Sequence, residues 1–284
     1  MEKIYSLTGF AEEKTENFKF TIKSYNHRFL EIYFQMPDFF QNLEQKFKNL
    51  IQEKVRRGKI YVKIELNSFQ FPFQLKINKK LLKEFVLFFK EIDPKMQYFP
   101  FSVLQKESFI IWEFEEDEKI LKELETGFNL CFDKFLKSRE EEGEKLRKII
   151  LKIAKELKNN LAKMKKRLPE LNDEIFSEYK RQIETIFENF KFDEERIAQE
   201  AALIALKVDA MEEVERAEQF TERIIEKFKK SKNFQGKEID FLTQEILREL
   251  QTFSQKVKEK NLREAAISCK LLNEQIREQV QNLE

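Results

Sequence analysis

The chain has 284 residues, 41% of them apolar and 37% charged, with a formal net charge of +1. That balance supports a packed core and excludes both global disorder and a polycation. The two cysteines, Cys131 and Cys269, exclude a disulfide framework and a thiolate metal site.

Gly and Pro number only five each, so most of the length must lie in regular elements. Residues 3–11 read as a short strand. Residues 17–36 read as a strand-rich stretch in which Phe18, Phe20 and Ile22 alternate, broken at Ser24–Arg28 by a bulge or tight turn. A helix runs from Pro37–Asp38, with Asp38 as N-cap, to about Val55. Ile60, Val62, Ile64 and Leu66 then form a strand, with Phe69–Ile77 as its expected hairpin partner. A helix follows over Lys79–Lys90, and residues 94–116 give a loop and one short strand.

From about Glu115 the period is helical. Leu146, Ile150, Ile153, Leu157, Leu161, Met164 and Leu168 recur at steps of three and four, and Pro169 breaks the stripe or opens the next helix. Asp193 resembles an N-cap, and Ile197, Ala201, Ile204, Val208 and Met211 stripe the following helix. Two more helices carry Ile246, Leu250, Phe253 and Val257, then Ala265, Cys269, Leu272, Ile276 and Val280. The expectation is an α+β chain: a mixed strand/helix domain over 1–116, long connecting helices over 117–192, and a helical domain over 193–284. The apolar stripes require burial in a bundle or an oligomer. No run reaches the roughly 18 apolar residues of a membrane span, and the segment after Met1 is polar, so a reducing cytoplasm is expected.

Residues 1–80 carry 15 Lys/Arg against 9 Asp/Glu, an excess of six, so the front could face a polyanion. His27 is the sole histidine and could serve alone as acid or base, and Arg28 beside it suits a phosphate. Arg56-Arg57-Gly58-Lys59 is either a phosphate-holding turn or a glycine-capped helix end with favourable charge. Asp209, Glu213 and Arg216 share one helix face, and Glu245 and Glu249 share another, with Arg248 beside them. Facing each other, the carboxylates would form an oxygen-rich site for Mg²⁺ or Mn²⁺; the alternative is a set of salt bridges.

Several motifs recur in order along the chain. They are Leu7-Thr8-Gly9-Phe10, Asn26-His27-Arg28-Phe29-Leu30, Arg57-Gly58-Lys59, Arg139-Glu140-Glu141-Glu142-Gly143, Asp193–Glu200, the group Asp209, Glu212, Glu213 and Arg216, Gly236–Glu245, and Ile276–Glu284. In these the sequence resembles the YicC-like endoribonuclease family over almost its whole length. It departs where the family usually has a histidine, at Phe220, and again at Leu247–Ser254.

The resemblance implies metal-dependent cleavage of RNA phosphodiester bonds by a homo-oligomer, a hexamer in the family. Carried onto these residues, His27, Glu213, Glu245 and Glu249 are the expected catalytic groups. Asn26, Arg28, Arg57, Lys59, Arg216 and Arg248 are expected to hold RNA, and Asp209, Glu213, Glu245 and Glu249 to hold the Mn²⁺ or Mg²⁺ ion. The competing reading is a non-catalytic RNA-binding or scaffold protein.

Overall fold

The computed structural model describes residues 3–67, 73–92, 94, 110–114, 118–186, 199, 210–230 and 236–284. The elements are β1 (Gly9–Lys14), β2 (Phe18–Tyr25), β3 (Leu30–Gln35), α1 (Gln41–Lys54), β4 (Gly58–Leu66), β5 (Phe73–Ile77), α2 (Lys79–Ile92), β6 (Ile110–Phe114), α3 (Glu118–Ile186), α4 (Met211–Lys230), α5 (Gly236–Lys256) and α6 (Lys260–Val280). This is an α+β architecture, a four-stranded sheet unit followed by a helical bundle.

The sheet runs β1-β2-β4-β3. β1/β2 and β2/β4 are antiparallel, whereas β3 lies parallel to β4. The break expected at Ser24–Arg28 falls slightly later: Ser24 and Tyr25 still pair within β2, and Asn26–Phe29 form the loop that carries the chain past the future site of β4. Asp38 is no helix cap. It begins a 3-10 turn (Asp38–Phe40) after Pro37, and its Oδ1 accepts from Gln41 Nε2 at 2.8 Å. Of the hairpin partner expected over Phe69–Ile77, residues 73–77 do not pair with β4 either, and residues 69–72 lie outside the described residues. Both edges of β4 are already used, by β2 and β3, so β5 pairs with β6 instead in a separate two-stranded ladder.

Alternation puts Phe18, Phe20 and Ile22 of β2 and Ile60, Val62 and Ile64 of β4 on one buried face. That face packs on Phe47 and Ile51 of α1 and on Ile120, Leu124, Phe128, Cys131 and Phe135 of α3. The sheet's core therefore extends past residue 116 and takes the first five turns of α3 as its own. Phe47 and Phe128 stack at 4.1 Å across it.

The 69 residues of α3 span roughly 100 Å. Their second half, from Leu146 to Leu171, buries the expected stripe against α4, α5 and α6, which close a four-helix bundle. Pro169 does not break this helix. A proline forfeits one backbone hydrogen bond and crowds the preceding turn. Buried Leu168 and Leu171 on either side, and Arg167 bound to Glu170, Glu174 and Glu259, hold the turn in place. Arg147 ties α3 to α4 by donating from Nε to the Phe228 carbonyl at 2.8 Å, in the last turn of α4. Asp193 and the stripe from Ile197 to Val208 lie outside the described residues.

Candidate functional site

The Asn26–Phe29 loop, the Arg56–Gly58 turn and the last four residues meet at one end of the sheet. Gly58 is not a helix cap, because α1 has already ended at Lys54. It opens β4 with φ +119°, a conformation that side chains resist, and its N–H donates to the Phe29 carbonyl at 3.2 Å. Residues 281–284 run back along residues 5–7. Tyr5 and Glu284 exchange backbone hydrogen bonds of 3.0 and 2.7 Å, and Leu7 N–H donates to Asn282 O at 2.8 Å.

The Glu284 side chain completes this clasp. Its Oε1 accepts from the Arg56 and Arg57 backbone N–H groups at 2.9 and 3.1 Å, and its Oε2 from the Arg139 guanidinium at 2.6 Å. Arg139 also donates from Nε to Ser6 O at 2.6 Å, and Arg57 donates to Leu283 O at 2.7 Å. Asn26 Nδ2 donates to Gln281 O and to Asn282 Oδ1. Asn26 and Arg57, expected to hold RNA, thus hold the chain's own tail. Arg139 and Glu284 form the centre of this clasp, a pairing that residue-type reasoning missed. The signal for both was their place in two of the ordered motifs, Arg139–Gly143 and Ile276–Glu284.

His27 stands at the rim of the same end, partly exposed. Its Nδ1 lies 3.1 Å from Phe29 O and 3.8 Å from Glu31 Oε1. Arg28 is exposed, with its guanidinium 5.3 Å from the Phe29 ring centre. Lys59 Nζ sits 4.8 Å from the Tyr33 ring and 5.3 Å from the Tyr61 ring. Tyr61 raises the Lys59 pKa, so the ammonium form is held.

The expected carboxylates lie on α4 and α5, which pack antiparallel. Lys256 binds Glu213 Oε1 at 2.7 Å, Arg216 pairs with Glu212 and approaches Glu249 at 3.7 Å, and Arg248 binds Glu245 at 2.7 Å. Lys227–Glu238 fixes the other end of the pair. This register puts Glu249 level with residue 216 and Glu245 near Phe220. Glu213 and Glu249 are therefore roughly 5 Å apart along the helix axis, and Glu213 and Glu245 roughly 10 Å. Ligands on opposite sides of one Mg²⁺ or Ca²⁺ stand only about 4–5 Å apart. Among the described residues no three His, Cys, Asp or Glu converge on one point, and Asp209 lies outside those residues. Glu213 Oε2 is buried with no hydrogen-bond partner, a state it shares with Glu13 Oε2 and Glu259 Oε2 elsewhere; it is costly, and at this seam a cation would relieve it.

Among the described residues, the two groups of expected residues do not meet within one chain. Gly236, at the start of α5, lies against Val280 and Leu283 beside the clasp, while Lys256, at its end, holds Glu213. The 21 residues of α5 separate them by roughly 30 Å.

Two family descriptions match the chain in order. "Endoribonuclease YicC-like, N-terminal region" covers residues 4–148, and "Endoribonuclease YicC-like, C-terminal" covers residues 164–284. The first takes in the part of α3 that completes the sheet's core. The chain is also similar to a Haemophilus influenzae protein named probable endoribonuclease YicC, at 27% identity over 294 residues, covering 99% of this chain and 100% of that one. A Clostridioides difficile protein of the same name is 30% identical over 296 residues, with 98% and 99% covered.

Proposed function

Because the chain belongs to the YicC-like endoribonuclease family, we propose that it hydrolyses phosphodiester bonds within RNA, with Mg²⁺ or Mn²⁺ as cofactor and as a homo-oligomer. The observation that carries this reading is the end-to-end similarity to two proteins named probable endoribonucleases. Arg28 and Lys59, exposed or half-exposed on a front segment with excess positive charge, supply phosphate contacts. Arg216 and Arg248 do the same beside the helical carboxylates.

The fit of the α4/α5 carboxylates to a cation is partial. Oxygen donors suit a hard ion, and the orphaned Glu213 Oε2 supports one, with Glu249 across the seam as second donor and Asp209 as the sequence-expected third. Such an ion supplies an activated water and charge stabilisation at the phosphorus. Lys256 and Arg216 hold Glu213 and Glu249 in place until then, and their cations also attract the backbone.

His27 is too far from Glu213 to act on the same phosphate within one chain. In a homo-oligomer a His27 from one copy could face the carboxylates of another. Exposed Phe241 on α5, and Ile267 and Leu271 a helical turn apart on α6, offer apolar surface for such contacts.

Incubating the purified protein with RNA alone, with Mg²⁺ and with Mn²⁺ tests the reading. Internal cleavage that needs the metal is the expected result. Cleavage without metal would remove the cofactor, and intact RNA under all three conditions would remove the enzyme. Salt-sensitive binding without cleavage would favour the non-catalytic RNA-binding reading.

A further inference from the structure

Among the described residues the sheet has one face buried and the other open, and strand register arranges that open face in rows. Pairing aligns Phe10 of β1 with Lys23 of β2, Lys23 with Tyr61 of β4, and Tyr61 with Tyr33 of β3. One continuous row, Phe10-Lys23-Tyr61-Tyr33, thus crosses all four strands. The next row places Tyr25 beside Lys59 and Lys59 beside Glu31. Because side chains alternate, all of these point away from the core.

The rings are unusually exposed for their size: Phe10 by 52%, Tyr25 by 54%, Tyr33 by 46% and Tyr61 by 39%. They are also ordered against one another. Tyr33 and Tyr61 stack with centroids 5.2 Å apart and planes 18° apart, and Tyr25 meets Tyr61 edge-on at 6.0 Å. Two ammonium groups sit among them, Lys23 5.5 Å from the Phe10 ring and Lys59 between Tyr33 and Tyr61. The carboxylates on this face are engaged. Glu31 accepts from the Tyr33 hydroxyl at 3.0 Å, Glu12 pairs with Lys19 at 3.1 Å, and Glu65 with Lys63 at 2.6 Å. That leaves Lys23 and Lys59 as the cations set among the rings.

We propose that this open face is a stacking platform for unpaired bases of single-stranded RNA, with Tyr33, Tyr61, Tyr25 and Phe10 under the bases and Lys23 and Lys59 on the phosphates. The assignment rests on the reading of the protein as one that acts on RNA and adds where and in what form the strand is held. Rings interleaved with cations match the chemistry of a single strand, whose bases present flat π faces while its backbone carries one negative charge per nucleotide. A duplex hides those faces and offers only its backbone. A purely apolar partner would bury the Lys23 ammonium without a counter-charge.

The test is fluorescence anisotropy with a short fluorescein-labelled oligouridylate, in EDTA so that binding is read without cleavage. Tyr33→Ala/Tyr61→Ala should weaken binding at least about tenfold, since each stacked base contributes that order by alanine substitution. Tyr33→Phe/Tyr61→Phe should remain within about twofold. Lys23→Ala should lower the slope of log affinity against log salt by about 0.7, while the tyrosine variants leave it unchanged. A duplex of the same length should bind much more weakly.

The platform is overturned if the oligouridylate does not bind, if the alanine pair binds like the wild type, or if the duplex binds as tightly. It is also overturned if the alanine pair, and not the phenylalanine pair, changes the sedimentation coefficient, which would make this face a contact between copies of the chain. Cleavage by the wild type in Mg²⁺ or Mn²⁺ is scored separately, so the platform can fail with the enzyme intact, and the enzyme can fail with the platform intact.

Discussion

Gly143 lies directly beneath Ile4: a Cβ on this helical glycine would stand 2.2 Å from the Ile4 carbonyl oxygen and 3.1 Å from the Ser6 backbone N. The obstacle is backbone on both counts, so no side chain can swing aside. Gly143→Ala must push residues 4–6 off α3 and loosen the strand that receives the tail. The expected loss is about 2–3 kcal/mol, the upper range of overpacking. Urea unfolding would measure it.

Arg139 and Glu284 should behave asymmetrically. Arg139→Ala leaves Glu284 with two backbone N–H donors. Glu284→Ala leaves a guanidinium only 2% exposed, with the Ser6 carbonyl as its one remaining short acceptor at this site. Removing one member of a buried pair costs roughly 3–5 kcal/mol, and the loss from Glu284→Ala should be at least as large as that from Arg139→Ala. A larger loss from Arg139→Ala would mean that its stacking on Phe135 and Tyr5 outweighs the ion pair.

Glu123 gives the sheet unit a response to acid. Burial pushes its carboxyl up, but hydrogen bonds from Thr15, Asn17 and Glu16 push further the other way and leave it below its ordinary value. Asn17 contributes two of these donors, at 2.9 and 2.8 Å. A carboxyl lowered by folding contributes stability that is fully present above its unfolded pKa and is lost as pH falls through the folded one. Glu123→Gln should therefore flatten the decline in melting temperature below about pH 4 and change little at pH 7 beyond a constant offset.

The cysteines should be silent in the native state. Burial pushes both thiols up to about 12. Cys131 is sealed beneath the sheet and Cys269 lies 3.8 Å from Met164 Sδ inside the bundle. Iodoacetamide at pH 8 should label neither until the protein is unfolded in urea. If labelling of Cys131 precedes that of Cys269 as urea rises, the sheet unit opens before the bundle.

Glu213→Gln keeps the shape of the side chain and removes its charge. Metal-dependent cleavage should fall at least about tenfold, the usual scale for losing a group that supports a metal site. Oligouridylate binding in EDTA should stay within about twofold, because the basic sheet face is remote from Glu213. Equal losses in both assays would assign Glu213 to folding through Lys256.

Much of this architecture was legible from periodicity. The stripe from Leu146 to Leu168 and the alternation in β2 and β4 are local patterns, and burial follows from them. The pairing of β5 with β6 was not legible, because it depends on β3 having already taken the free edge of β4. Pro169 misled because the penalty for proline is local and the packing that outweighs it is not. At the candidate site, motif order identified Asn26, Arg57 and Arg139 as special but not why. Their partners are residues 281–284, more than 140 positions away in every case. The aromatic row across the sheet needed the register of four strands, and the order β1-β2-β4-β3 cannot be read from any one of them.

The clasp also sets a schedule for biosynthesis. The backbone partners of Tyr5 and Leu7, Glu284 and Asn282, are translated some 275 positions after them. At about 5–20 residues per second the wait is roughly 15–60 s. Throughout it, Arg139 has no Glu284 to bind and the Arg56 and Arg57 amides have no carboxylate. A nascent chain that has not yet reached residue 282 can form its core contacts while the seam beside residues 5–7 stays open, and in that state it is a substrate for proteases.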